Sequence, residues 1–114
     1  MVGKYIPERG DIAWLTLDPK LGHEQKGRRP VLIVSDRYYN SKSELCLACP
    51  ITSMAKGYAF EVSIHNLKVT GTVLADQITS FAWKERQIKY IGRANSEVLR
   101  EVCKKASVLI REEL

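Results

Sequence analysis

The chain has 114 residues, 45% of them hydrophobic and 27% charged, and its 18 lysines and arginines outnumber 13 acidic residues for a net charge of +5. That length supports one hydrophobic core, so a single domain over residues 1–114 is expected, burying roughly 65% of its unfolded surface without metal or disulfide staples. No run approaches the roughly 18 apolar residues of a membrane helix, and no basic start leads into an apolar stretch, so neither a membrane span nor a secretory signal is expected and the predicted compartment is the cytoplasm.

The first strand is predicted at 12–17, IAWLTL, entered through Gly10 and Asp11 and stopped by Asp18-Pro19. Residues 20–29 contain Gly22, Gly27 and a single aliphatic residue, Leu21, which makes a loop of unusual length for a small domain. Pro30 fixes its own φ and pushes Arg29 into an extended conformation, so Arg29 is held at the threshold of a second strand, PVLIVS at 30–35. That strand is apolar on both faces, as a central strand should be. Residues 37–44 are polar and suit a turn or a short helical crossing. LCLACPIT at 45–52 is the third strand, with Pro50 marking where its ladder must end, lie on an edge or bulge.

FEVSI at 60–64 and VTGTVLA at 69–75 read as an antiparallel pair joined by a polar turn at 65–68, and ITSFAW at 78–83 and QIKYIG at 87–92 add two short strands. Ser96 is expected to cap a helix in which Val98, Leu99, Val102, Ala106, Leu109 and Ile110 recur at spacings of three and four, an apolar stripe for docking on the sheet. Many short strands and one terminal helix predict a mainly β fold, a small barrel with the helix packed on it.

Cys46, Cys49 and Cys103 are an odd set, which fits a reducing compartment. Strand alternation sends Cys46 and Cys49 to opposite faces, and neither His23 nor His65 stands at a metal-ligand spacing, so the cysteines read as buried structural thiols and no metal is expected. The positive charge favours polyanionic partners, although many small basic domains only carry solvated lysines. Its placement says more. Lys20, Lys26, Arg28 and Arg29 cluster in a glycine-bearing segment with Glu24 as the only acid among them, while Lys104 and Lys105 form a shorter second cluster.

Three stretches carry polar groups suited to chemistry. Residues 22–30 bring a carboxylate, an imidazole, an amide and guanidinium groups into a loop whose backbone N–H groups and forked donors can approach a phosphate. Pro50-Ile51-Thr52-Ser53 places hydroxyls at a strand end, and Asp76-Gln77 follows VTGTVLA. Taken singly, these equally describe a solvated basic loop, a local cap and a turn.

Taken together, Gly10-Asp11-Ile12, Asp18-Pro19, Gly22-x-Glu24-Gln25-x-Gly27-x-Arg29-Pro30, Pro50-x-Thr52 and Ala75-Asp76-Gln77 resemble, in order and spacing, the MazF/PemK family of toxin endoribonucleases over nearly the whole chain. GYAFEV at 57–62, Trp14, Trp83 and VLI at 108–110 are most similar to the MazF branch. The resemblance implies an SH3-like barrel of the CcdB/PemK kind. It also implies a sequence-selective, metal-independent ribonuclease without cofactors, the toxin of a type II toxin–antitoxin pair, which arrests growth by cutting single-stranded mRNA. Cleavage would leave a 2′,3′-cyclic phosphate and a 5′-hydroxyl through attack by the substrate's own ribose hydroxyl. The family's catalytic arginine and threonine fall on Arg29 and Thr52, and its important acidic loop residue on Glu24. A homodimer is implied, as is an acidic MazE-like antitoxin through which alone the complex would meet DNA.

These roles agree with the chemistry. In-line attack builds charge on the non-bridging oxygens, which a guanidinium fork meets with two parallel hydrogen bonds. A guanidinium is a reluctant acid, so Arg29 is an electrostatic clamp before it is a proton donor. Glu24 is placed to accept the 2′-OH proton if the loop folds back on the phosphate. The family commonly has a small hydroxyl residue at His23, and the histidine is read as an RNA contact. Leu21, Gln25, Ser53 and Gln77 are the candidates for base recognition, and Lys26 and Lys56 for backbone phosphates. Two other functions stand beside this one: a CcdB-like protein-binding toxin acting on gyrase, and a non-catalytic RNA-binding module. The Glu24–Pro30 loop favours the nuclease.

Overall fold

The computed structural model describes residues 4–16, 27–66 and 68–112. Among them run β1 (Asp11–Thr16), β2 (Arg28–Ile33), α1 (Arg37–Ser43), β3 (Cys46–Thr52), β4 (Glu61–His65), β5 (Thr70–Leu74), a 3-10 turn (Ala75–Gln77), β6 (Thr79–Phe81), a second 3-10 turn (Trp83–Arg86), β7 (Lys89–Arg93) and α2 (Ser96–Val108). The seven strands form one sheet in the order β4-β5-β3-β2-β1-β7, with β6 pairing β3, and every pairing is antiparallel. It is a mainly β half-barrel with the C-terminal helix packed on it; the mainly β class and the docked helix are as the strand pattern predicts.

Period-2 alternation divides the core into two clusters, one on each face. Ile12, Leu32, Cys49, Ile51, Val62, Ile64 and Val73 pack under Val102 of α2. Leu15, Val31, Ile33, Cys46 and Ala48 point the other way and are covered by Trp83, Ile6, Phe81 and Ile88. β2 therefore buries both faces, as expected for a central strand. Cys46 and Cys49 also separate as expected: each is fully buried, in a different cluster, and free.

Pro50 sits within β3, opposite Val31, at a change of partner strand. β6 pairs β3 at Cys46 to Ala48, and β5 takes over at Ile51 and Thr52. A residue without an N–H is tolerated best at such a changeover, where neither ladder claims it. Pro30 obeys the same logic. β2 begins at Arg28, two residues earlier than the proline suggests, and Pro30 pairs with Trp14 just beyond the last β2–β3 pair, Val31 with Pro50.

The terminal helix departs from expectation at both ends. Its N-cap is Asn95, extended at φ −72° and ψ 160°, whose Oδ1 accepts from the Val98 N–H at 2.8 Å; Ser96 is already inside. At the other end the helix stops at Val108, leaving Leu109 51% and Ile110 79% exposed, so the docking stripe ends at Ala106. The segment at 78–83 also differs: β6 ends at Phe81 and Trp83 begins a 3-10 turn, where its indole N–H donates to the Asn40 carbonyl at 3.0 Å.

Candidate active site

Register brings the two residues of interest together. Along β2 and β3, Val31 stands opposite Pro50. The β2–β3 pairs end there, and a step of two residues beyond that pair on each strand keeps Arg29 and Thr52 on the face turned away from α2. The two side chains do open into one cleft of about 340 Å³, lined by Arg28, Arg29, Pro30, Ile51, Thr52, Ser53, Met54, Val69 and Thr70. A larger cavity of about 610 Å³ lies elsewhere, between Tyr5, Ile6, Trp83 and Ile88, and holds none of the candidate catalytic or RNA-binding residues.

Each wall of the cleft is set by a local contact. The Arg28 guanidinium lies 4.5 Å from the centroid of the Trp14 ring, a cation–π contact that holds a second positive group beside exposed Arg29. Thr52 Oγ1 accepts from the Met54 N–H at 3.1 Å, which turns the chain away after the strand and leaves the hydroxyl proton free to donate into the cleft. The local cap considered at Thr52 is thus present and leaves its proton available. β5 approaches so closely here that a Cβ on Gly71 would stand 2.6 Å from the Thr52 carbonyl oxygen. Beyond Ser53 the loop is anchored by Glu61, whose carboxylate accepts from the N–H groups of Lys56 (3.0 Å) and Gly57 (2.9 Å). Gly57 adopts φ +84°, a conformation that favours glycine.

The cleft unites Arg29, Thr52 and Ser53. Lys56 is exposed on the anchored loop and is not among the lining residues. Gln77 is exposed on the 3-10 turn after β5, its carbonyl accepting from Thr79 Oγ1 at 3.0 Å, and does not line the cleft either. Leu21, His23, Glu24, Gln25 and Lys26 lie outside the described residues. Arg28, Met54, Val69 and Thr70 line the cleft without having been chosen from the sequence. Arg28 was visible in the basic cluster, whereas Val69 and Thr70 arrive from a distant hairpin that no local pattern links to Arg29.

Burial pushes the Cys46 and Cys49 thiols up to about 12, with charge at Cys103 and Asp76 adding to the effect on Cys49, so both stay protonated at neutral pH. Among the described residues, no three His, Cys, Asp or Glu side chains are grouped to hold a metal ion, and no helix is long and apolar enough to cross a membrane.

The family described as PemK-like, MazF-like toxin of type II toxin-antitoxin system matches residues 8–110. Endoribonuclease toxin MazF of Escherichia coli (strain K12) is 41% identical over 110 residues, spanning 96% of this chain and 99% of that protein. Among solved structures, MazF (Form-I) from Deinococcus radiodurans is 44% identical with a TM-score of 0.83, covering 94% of this chain and 98% of its own. The MazE-MazF structure (Form-II) from the same organism gives 39% and 0.84, with 96% and 100% covered. Fold, cleft and these likenesses define a toxin endoribonuclease. The chain belongs to the PemK-like, MazF-like family of type II toxin–antitoxin systems, on its MazF branch.

Proposed function

We propose that single-stranded RNA is cut in the Arg29–Thr52 cleft, by attack of a ribose 2′-OH on the adjacent phosphate. The 2′-oxygen forms its bond to phosphorus as its proton passes to a base, the P–O5′ bond breaks, and the departing 5′-oxygen takes a proton. The products are a 2′,3′-cyclic phosphate and a 5′-hydroxyl. Arg29 clamps the non-bridging oxygens, where charge accumulates, through its forked N–H donors. The Thr52 hydroxyl donates to the same oxygens, its lone pair already engaged by the Met54 N–H. Arg28, held on Trp14, neutralises a neighbouring phosphate. Glu24 is assigned as the base that receives the 2′-OH proton. Nucleophile and leaving group both belong to the RNA, so the step needs no metal.

The observation that carries this reading is the convergence of Arg29 and Thr52 on one open cleft. Ser53 faces the same space for base contact, while Leu21, His23, Gln25 and Gln77 extend recognition and Lys26 and Lys56 hold flanking phosphates. The Asn66 Nδ2 atom donates to the Arg93 carbonyl at 3.0 Å, joining β4 to β7 at the two ends of the strand order, which supports an SH3-like barrel of the CcdB/PemK kind. The MazE-MazF likeness and the +5 charge support an acidic MazE-like antitoxin occupying the RNA groove of a cytoplasmic homodimer, with DNA met only through that antitoxin.

The test is incubation of purified protein with a long transcript in EDTA, followed by mapping of new 5′-hydroxyl ends. Cleavage at a recurring short sequence, lost in Arg29→Ala, is the expected result. Intact RNA, or equal cutting by the variant, refutes the assignment. Salt-sensitive binding without new ends would leave a non-catalytic RNA-binding module, and gyrase inhibition without RNA cleavage a CcdB-like toxin.

A further inference from the structure

The far wall of the cleft is formed by Val69 and Thr70, contributed by the β4–β5 hairpin. The pairings set Thr52 opposite Thr72, and Thr70 opposite His65. Met54, which follows the end of β3, lines the same cleft as Thr70. Because opposed and alternate residues share a face, Arg29, Thr52, Thr70 and His65 all lie on the side of β2, β3, β5 and β4 away from α2, with Thr70 and His65 one row beyond Thr52 and Thr72. Thr70 is a diagonal neighbour of Thr52, at the roughly 7–8 Å spacing usual for such pairs. It is thus too far to share the reacting phosphate and well placed for the adjoining nucleotide.

This wall is fixed by several independent contacts. The Asn66 N–H donates to the Val69 carbonyl at 2.8 Å, the Lys68 N–H donates to Asn66 Oδ1 at 2.9 Å, and Asn66 Nδ2 donates to the Arg93 carbonyl. Gly71 lies flush against the Thr52 carbonyl, which locks the hairpin to the strand that carries Thr52. Thr70 Oγ1 stands 3.1 Å from His65 Nδ1 in a hydrogen bond. A hydroxyl has one proton and two lone pairs; the imidazole engages part of that capacity, fixes the rotor, and leaves the remainder to face the cleft.

We infer that Thr70 is a specificity-determining contact for the base next to the cut, and that His65 is the positioning residue that orients the Thr70 hydroxyl. The inference rests on the reading of the cleft as the RNA site. A neutral hydroxyl is matched to a base edge, where it serves donors and acceptors alike, while the phosphates are drawn to Arg28 and Arg29 on the opposite wall. Single-stranded RNA supplies such edges, because its bases splay out of the stack.

The test uses the full chain and a panel of short 2′-O-methyl RNAs, which have no nucleophile and stay intact, varied one base at a time and titrated by fluorescence anisotropy. Wild-type protein is expected to spread its Kd values at least tenfold at one position. Thr70→Val collapses that spread to within threefold, and Thr70→Ser keeps it. His65→Leu narrows it, and His65→Asn, which returns a hydrogen-bonding group near the place of Nδ1, restores it. In cleavage of ordinary RNA, Thr70→Val raises KM for the preferred sequence and leaves kcat within threefold. An unchanged spread in Thr70→Val, or a fall in kcat with KM preserved, overturns the inference. Undiminished cutting by Arg29→Ala overturns the catalytic reading instead, and the uncut panel still judges Thr70 by itself.

Discussion

Arg28 and Arg29 are adjacent, and strand alternation gives them different surroundings. Arg29 pairs across β1 with Leu15 and stands toward Thr52, exposed and ready for a ligand. Arg28 pairs with Thr16 and lies over Trp14. The clamp assigned to Arg29 depends on a planar fork, so Arg29→Ala should lower kcat/KM by at least about 100-fold, the loss of roughly 3 kcal/mol typical of deleting an oxyanion donor. Arg29→Lys should recover only part of that, because a point charge cannot bond two oxygens in parallel. The role of Arg28 is one of binding: Trp14→Leu removes a contact of about 1 kcal/mol, so KM should rise several-fold while kcat stays nearly constant. Steady-state kinetics on one defined RNA separate these outcomes. Arg29 and Thr52 were legible in the sequence because the family's catalytic arginine and threonine fall on them; locally, Pro30 marks Arg29 only as a held group, and Pro50 lies inside β3 rather than at its end. Their meeting in one cleft follows from the pairing of β2 with β3, which no local pattern states.

At the level of elements, β3 does the most to build the site. It exchanges β6 for β5 at Pro50, which frees its last residues to meet the hairpin. The fit of β5 against Thr52 is tight enough that Gly71→Ala places a methyl group 2.6 Å from a backbone oxygen, and backbone cannot swing aside as a side chain can. The substitution should cost about 1–3 kcal/mol as overpacking and lower kcat by moving Thr52, whereas Gly92→Ala, whose added carbon meets only Asn66 side-chain atoms at 3.5 Å or more, should be mild by both measures. Denaturant midpoints and single-turnover rates on the two variants check this. The strands themselves were readable from β-branched residues and alternation, since burial on one or both faces writes itself into period 2. The ends of α2 were not. Asn95 and Ser96 are both competent caps, and which one is used depends on backbone angles; Leu109 and Ile110 continue an apolar spacing past the point where the helix has a sheet to cover. The hairpin wall was equally hidden, because nothing local to Thr70 points to Arg29.

At the scale of the whole molecule, the two core clusters share one sheet, and a buried thiol in each ties global stability to pH. Cys46 and Cys49 are both fully buried and pushed up from an ordinary 9.0 to about 12. Below pH 9 the thiols are neutral in folded and unfolded chains alike and contribute no pH dependence. Between pH 9 and 12 the unfolded chain loses those protons and the folded chain keeps them, so the unfolded state binds fewer protons and stability must fall as pH rises, by about 1 kcal/mol per unit for each thiol. Tyr5 acts in the same sense from about pH 10 upward, because burial and its hydrogen bond to Asp11 raise its phenol well above the usual range. Urea midpoints measured at pH 8.0 and 9.8 should therefore drop in wild type, a window chosen to lie about a unit either side of the ordinary thiol pKa and below that of tyrosine. Cys49→Ala and Cys46→Ala should each remove a comparable share of the drop, since the two sulfurs lie in separate clusters and their effects should add, while Cys103, whose thiol pKa burial also raises, keeps a remainder. A drop of the same size in the double variant would mean that surface lysines, not the thiols, govern alkaline unfolding.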